Sequence, residues 1–248
     1  MERRRIAQSE TRLMLLYVLL KVGPASGQQL EQFMADTNTM NYFDLQLNLI
    51  SLLDDGAVEK LPHPVETVYR LTDSGRFTVE SYINRLPVSR RDEVDLQAGA
   101  AKENFLRELE APAKLEKLGN GQNNALLYLM QGNEALLELR LPLNTGERWP
   151  LLHKRWQRCA AAAYQKVILA LTGAAARDQT AEGITVLERH GPAWAMSGER
   201  EDGFRLKLLF AEQRAAEEAA GRFPHVSGQL LRELKSMLDG EITALKND

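Results

Sequence analysis

AVEKLPHPVETVYRL, residues 57–71, is two short alternating segments on either side of a proline-bracketed loop. Pro62 and Pro64 have no N–H to give a strand ladder, so Pro62-His63-Pro64-Val65-Glu66 reads as the loop joining strands at Ala57–Leu61 and Thr67–Leu71. Upstream, Gly56 closes a helix predicted from about Asn41 to Asp55. The polar turn Thr37-Asn38-Thr39 separates it from a shorter helix, Ser26 to Asp36, whose Leu30, Phe33 and Met34 point inward. Further upstream, Ser9 and Thr11 read as caps of an apolar helix that stops at Gly23-Pro24. Downstream of the hairpin, Thr72 to Leu86 supplies a fourth helix with Asp73 and Ser74 in its first turn. Three helices followed by a hairpin, in this order, predict a winged helix-turn-helix over residues 1–87.

Residues 88–112 are charged and helical in composition, with scattered apolar positions Val94, Leu96, Phe105, Leu106 and Leu109, and read as a connector. Beyond it, strands are expected at Ala113–Leu118, Ala125–Gln131 and Glu134–Leu143, then a long helix from about Arg148 to Thr172, closed by Gly173. The last stretch repeats the plan: strands at Ile184–His190, Ala193–Ser197 and Gly203–Phe210, then helical sequence from about Gln213 to Leu238. A shift of 67 positions lays Leu137-Glu138-Leu139-Arg140-Leu141 on Phe204-Arg205-Leu206-Lys207-Leu208, Arg155-Trp156 on Arg222-Phe223, and Leu171-Thr172-Gly173 on Leu238-Asp239-Gly240. This predicts a duplicated βββα unit, with repeats at 113–173 and 182–240, within an α+β domain over 113–248. Two amphipathic units of matched periodicity are the plainer account. Pro224, opposite Gln157, is expected to break the last helix or to start it afresh.

The chain has 248 residues, 44% of them hydrophobic and 26% charged, enough to bury two ordinary cores without covalent staples. A single cysteine, Cys159, makes no internal disulfide and fits a reducing, cytoplasmic setting. Arg3, Arg4 and Arg5 ahead of Leu13–Leu20 superficially resemble a signal peptide. Ser9, Glu10, Thr11 and Arg12 interrupt that pattern and Lys21 closes an apolar run far too short to span a bilayer, so the first helix of a folded domain accounts for it and no membrane is expected. The formal net charge of −3 supplies no global field that would draw the protein to nucleic acid.

LMLLYVLLKV at 13–22, MNYFDLQLNLISLLDDGAVEK at 40–60, YRLTDSGR at 69–76 and NRLPVSRRDEV at 84–94 resemble the domain-of-unknown-function 4364 family of predicted winged-helix transcriptional regulators, mostly from Firmicutes. The resemblance continues more weakly through Leu137–Thr172, and residues 174–248 extend past it. It implies a bacterial cytoplasmic protein that binds DNA. It carries no established functional residues.

In a winged helix the third helix enters the major groove, polar groups read base edges and basic residues neutralise phosphates. Successive steps of about 100° from Asn41 place Tyr42, Leu45, Leu49, Leu52 and Leu53 on one side, facing the core, and Phe43, Leu47 and Ile50 in a second apolar stripe. Asn41, Asp44, Asn48, Ser51 and Asp55 form the polar strip between. Thr39, Asn41, Asn48 and Ser51 are therefore the candidate base readers, and Arg3, Arg4, Arg5, Arg90 and Arg91, with Arg85 nearby, the candidate phosphate contacts. Solvated helix ends account for those arginines equally well. Residues 1–95 hold eleven Lys/Arg against fourteen Asp/Glu, so any basic patch is local. Phe43, Leu47 and Ile50 are the candidate partner interface, a stripe to be packed on the second domain, on a dimer mate or on another protein. The expectation is a DNA-binding transcriptional regulator, a homodimer reading two half-sites, with a C-terminal dimerisation or effector domain; the alternative is a winged-helix protein-interaction module that does not bind DNA.

Catalysis is not expected. His63, His153, His190 and His225 are widely spaced, and the chain has no His-Glu-x-x-His, no cysteine pair and no phosphate-cradling glycine loop, so neither a metal nor a cofactor is implied. Cys159 reads as a packing residue on a helix. Trp149, Trp156 and Trp194 either anchor helix to sheet or line a pocket for a small-molecule effector whose identity the sequence leaves open.

Overall fold

The computed structural model describes residues 2–119, 121–143, 149–173 and 181–239, with side chains from residue 9 onward. They gather into two compact units, Met1–Leu109 and Glu110–Asp248. The first contains α1 (Glu2–Val22), β1 (Ala25–Ser26), α2 (Gly27–Asp36), α3 (Tyr42–Asp54), β2 (Val58–Leu61), β3 (Val68–Leu71), α4 (Asp73–Tyr82), a 3-10 turn at Ile83–Arg85, and α5 (Val88–Glu110). Its small antiparallel sheet runs β1-β3-β2. Element order and strand order together make a winged helix-turn-helix with an added long helix.

Local chemistry sets most of these boundaries. Ser26 and Gln29 form a reciprocal capping box at α2: the Gln29 amide donates to Ser26 Oγ at 3.1 Å and the Ser26 amide to Gln29 Oε1 at 2.9 Å. Thr72 caps α4, its Oγ accepting from the Gly75 amide at 3.1 Å while its own hydroxyl donates to the Gly56 carbonyl at 2.7 Å. Gly56 follows α3 at φ +67, a left-handed turn that glycine adopts without a steric cost. At the start of α1 the boundary differs from expectation. Helix α1 runs straight through Ser9 and Thr11 from Glu2, because Glu-Arg-Arg-Arg-Ile-Ala-Gln contains nothing that stops a helix.

Leu13 to Leu19 are all buried, so this stretch of α1 is enclosed on every side, and this is why its sequence is a continuous apolar run instead of a stripe. Around it pack Leu30 and Phe33 of α2, Leu45, Leu49 and Leu52 of α3, and Val79 of α4. Helix α5 joins the same core through Val94, Ala98 and Phe105, so the segment read from sequence as a connector contributes to the first core. Phe105 meets Phe33 edge to face at 6.4 Å. Asp95 accepts from the Tyr17 hydroxyl at 2.7 Å and pairs with Lys21 at 2.8 Å.

The second unit is one antiparallel sheet with two helices on one face. Its elements are β4 (Ala113–Lys117), β5 (Asn123–Gln131), β6 (Glu134–Leu143), α6 (Trp149–Thr172), β7 (Ile184–His190), β8 (Ala193–Glu199), β9 (Arg205–Phe210) and α7 (Gln213–Asp239). The strand order β4-β5-β6-β9-β8-β7 places two three-stranded meanders back to back, joined at β6 and β9. Helix α6 lies over β4 and β5, α7 over β7, β8 and β9, and the helices pack on each other. Leu127, Leu137, Leu139, Leu206 and Leu208 meet Trp156, Val167, Phe223 and Leu234 in the core. Gly198 lets Phe223 approach the sheet: a Cβ there would lie 2.7 Å from three ring carbons. Pro224 does not break α7, which is continuous across it. The bond it forfeits costs about 3 kcal/mol, offset by Ala219, Ala220, Phe223, Val226 and Ser227, all buried on either side.

Candidate interaction face on the third helix

Asn41 starts α3. Its Oδ1 accepts from the Asp44 amide at 3.0 Å and its Nδ2 donates to the Asp44 carboxylate at 2.8 Å, so both ends of the side-chain amide are engaged by the first turn of the helix itself. The turn before it is held by Thr37, whose hydroxyl donates to the Phe33 carbonyl at 2.7 Å and contacts the Thr39 hydroxyl, and by Asn38 in the left-handed region at φ 45. Thr39 is half-buried in that turn and Ser51 half-buried on the helix. Asn48 is only 5% exposed. Its Nδ2 donates to the Asp44 carbonyl at 2.6 Å and lies 3.9 Å from Met40 Sδ, which takes it off the polar strip and into the core. Its position gives the reason: it lies three residues after Leu45 and four before Leu52, on the inward seam.

What α3 shows to solvent is apolar. Phe43 is 77% exposed, Leu47 64% and Ile50 57%, and they run along the helix at one-turn spacing. Tyr42, expected on the inner side, is 49% exposed. It joins this surface by stacking edge to face on Phe43 at 5.7 Å. Asp44 and Asp54 are exposed alongside, and between Tyr42 and Glu59 there is no lysine or arginine. Monomeric surfaces rarely gather large apolar side chains this way without a partner to cover them.

The expected basic clamp does not assemble from the described side chains. Arg90 Nη1 donates to the Asn38 carbonyl at 2.8 Å, at the N-terminal end of α3. Arg85 stacks over Tyr82 at 4.5 Å, and both line a hollow with Asp55 and Arg12 at the other end. A helix of 13 residues separates the two sites by about 20 Å at 1.5 Å per residue. Arg12 itself pairs with Asp55, and Arg91 is half-buried with its Nε making no hydrogen bond. The side chains of Arg3, Arg4 and Arg5 lie outside the described residues. At the start of α3, Thr39, Asn41 and Tyr42 border a hollow of about 470 Å³ that also contains Glu31 and Asp44, so carboxylates line it where a phosphate site needs cations. Of the cations on the wing strands, Lys60 is exposed on β2. Arg70 is paired with Glu59 at 2.6 Å, and in the loop His63 Nε2 lies 3.4 Å from the Leu109 carbonyl on α5.

A domain of unknown function, DUF4364, matches residues 11–171. The chain belongs to this family. The match takes in the winged helix, α5, β4 to β6 and nearly all of α6, and residues 182–239 lie beyond it. No curated protein and no solved structure matches the chain.

In the second unit, the sheet face opposite the helices holds a hollow of about 300 Å³ lined by Leu126, Tyr128, Ile184, Val186 and the charged residues between them. Each cation there has a carboxylate: Arg140 with Glu116 at 2.7 Å, Arg205 with Glu199 at 2.6 Å, Lys207 with Glu138 at 3.2 Å. The Asn124 amide, followed by Arg140, holds Glu116 below the usual carboxylate range against the opposing effect of burial. None of the tryptophans lines this hollow. Trp156 is fully buried and donates to the Tyr128 carbonyl at 3.0 Å, fastening α6 to β5, and Trp149 stacks on His153 at 5.7 Å. Burial pushes the Cys159 thiol up, away from the thiolate a nucleophile needs. Among the described residues no three His, Cys, Asp or Glu side chains converge to hold a metal, and no helix is long and apolar enough to cross a membrane.

Proposed function

We propose that this chain is a winged-helix protein-interaction module, and that α3 docks a partner protein instead of a DNA groove. The observation that supports this most is the exposed run of Phe43, Leu47 and Ile50 at the position where a DNA-reading helix carries polar and basic side chains. The magnitudes favour it. Covering those three side chains with an apolar surface is worth about 1–2 kcal/mol each, whereas pressed against a phosphate-lined groove they gain little. Asp44 and Asp54, with the acidic excess of residues 1–95, oppose phosphate and suit a partner whose apolar contact is rimmed by lysine or arginine.

Leu47→Asp tests the reading, because it places a carboxylate in the middle of the stripe without touching the core. The proposal expects the variant to keep its melting temperature and to lose self-association or the proteins that co-purify with the wild-type chain. An unchanged oligomer and an unchanged partner set would overturn it.

A further inference from the structure

We propose that the β6 edge and the adjoining flank of α6 form a homotypic interface, shaped to receive a second copy of the βββα unit, and that residues 182–239 occupy it from within the same chain.

The register of the joined sheets carries the argument. β6 pairs with β9 antiparallel as Leu137↔Leu208, Glu138↔Lys207, Leu139↔Leu206 and Arg140↔Arg205. Under the 67-residue shift Leu139 is equivalent to Leu206, so these two equivalent residues face each other. The same shift exchanges the pairs on either side: 138 with 207 becomes 205 with 140. A two-fold axis does this and an arbitrary junction of two units does not, because equivalent residues meet face to face only on the axis.

The helices give a second, independent point on that axis. Lys166 Nζ pairs with Glu233 at 2.9 Å, and 166 and 233 are also 67 apart. Burial follows the same operation. Leu152, Trp156, Ala160, Ala163, Val167 and Leu171 of α6 correspond to Ala219, Phe223, Ser227, Leu230, Leu234 and Leu238 of α7, and all twelve are buried.

The β6 sequence is moreover complementary to itself. Two copies of Leu137-Glu138-Leu139-Arg140-Leu141, set antiparallel about Leu139, would place leucine opposite leucine and Glu138 opposite Arg140 twice over. In this chain one of those charge pairs survives as Glu138 with Lys207, and the other has become Arg140 opposite Arg205, each cation drawn to its own glutamate. The family match stops within the last turn of α6 and so contains one unit, whose β6 edge here is covered by the residues that follow. One finished six-stranded sheet is therefore served by one winged helix, where two separate copies of the matched segment would bring two.

Two full-length variants test the interface, both read by hydrogen exchange at the Leu137–Arg140 amides, with the Leu15–Leu19 amides of α1 as an internal control of folding. In the first, Phe204→Leu, Arg205→Glu and Lys207→Arg make residues 204–208 identical to 137–141. In the second, residues 182–239 are replaced by a repeat of 113–173. Both are expected to keep the β6 amides protected and to unfold cooperatively. The proposal is overturned if either chain exchanges its β6 amides at unprotected rates while α1 stays protected.

Discussion

Leu47 and Leu49 are two residues apart on α3 and have opposite surroundings, the first 64% exposed and the second 2%. Leu49→Ala should cost about 2–5 kcal/mol through the cavity it leaves, and Leu47→Ala should stay within about 0.5 kcal/mol of wild type, both read from urea denaturation. Equal losses would mean that the stripe is covered by the domain's own core. Gly198 offers a test in the second unit. Adding one methyl there drives it into the Phe223 ring, so Gly198→Ala should destabilise by about 1–3 kcal/mol, and a neutral result would show that α7 can move away from β8. At this scale the outward identity of Phe43, Leu47 and Ile50 was legible from spacing alone. Asn48 and Tyr42 were not, because a wheel assigns faces by angle and type. Asn48 is carried inward by the leucines on either side of it and donates to the Asp44 carbonyl, while Tyr42, in the first turn, is half exposed beside Phe43.

Among the elements, α3 depends on its cap: Asn41→Ala removes the acceptor for the Asp44 amide and should cost about 1 kcal/mol, measured by thermal unfolding, and no loss would show that water replaces the cap. The attachment of α5 to α1 is electrostatic as well as apolar. Burial raises the Asp95 carboxyl, and the hydrogen bonds from Lys21 and Tyr17 outweigh it and hold the group below its ordinary value. Asp95 pairing holds Lys21 above its own ordinary value. Glu233 is likewise lowered by Lys166 and then Gln229. Carboxylates with depressed folded values contribute stability that is complete above about pH 4, their unfolded value, and is lost as the pH falls through the lower folded values. Melting temperature should therefore hold between pH 5 and 8 and fall below about pH 4, less steeply in Asp95→Asn; an identical slope in that variant would remove Asp95 from the account.

The elements whose boundaries sequence reasoning recovered are those with their own punctuation. Gly56, the Pro62–Pro64 loop and the alternation of β5 and β6 are local signals. β1 has none, since Ala25-Ser26 becomes a strand only by lying against Val68 and Tyr69. Pro224 misled for the complementary reason: a local breaker was overruled by burial on both sides of it.

For the whole molecule, the two units carry separate messages. The winged helix-turn-helix was readable from element order and the family from short motifs, and neither decides what α3 binds. The 67-residue echo between the two βββα units was also readable, and the two-fold arrangement proposed for them was not, because only pairing across β6 and β9 reveals which residues face each other. Charge is the property that separates the two functional readings most sharply. Non-specific DNA affinity is almost wholly electrostatic and strengthens steeply as salt is lowered. A chain of net charge −3, with Arg85 and Arg90 at opposite ends of an acidic α3, has little to offer it. The decisive measurement is a fluorescence-anisotropy titration of a labelled random-sequence DNA duplex with the full-length protein at low salt. An α3 that docks protein and not DNA predicts no saturable binding tighter than about 100 µM, the weak end of ordinary non-specific affinity. Saturable binding in the micromolar range or tighter, weakening linearly in log salt and surviving Leu47→Asp, would contradict it.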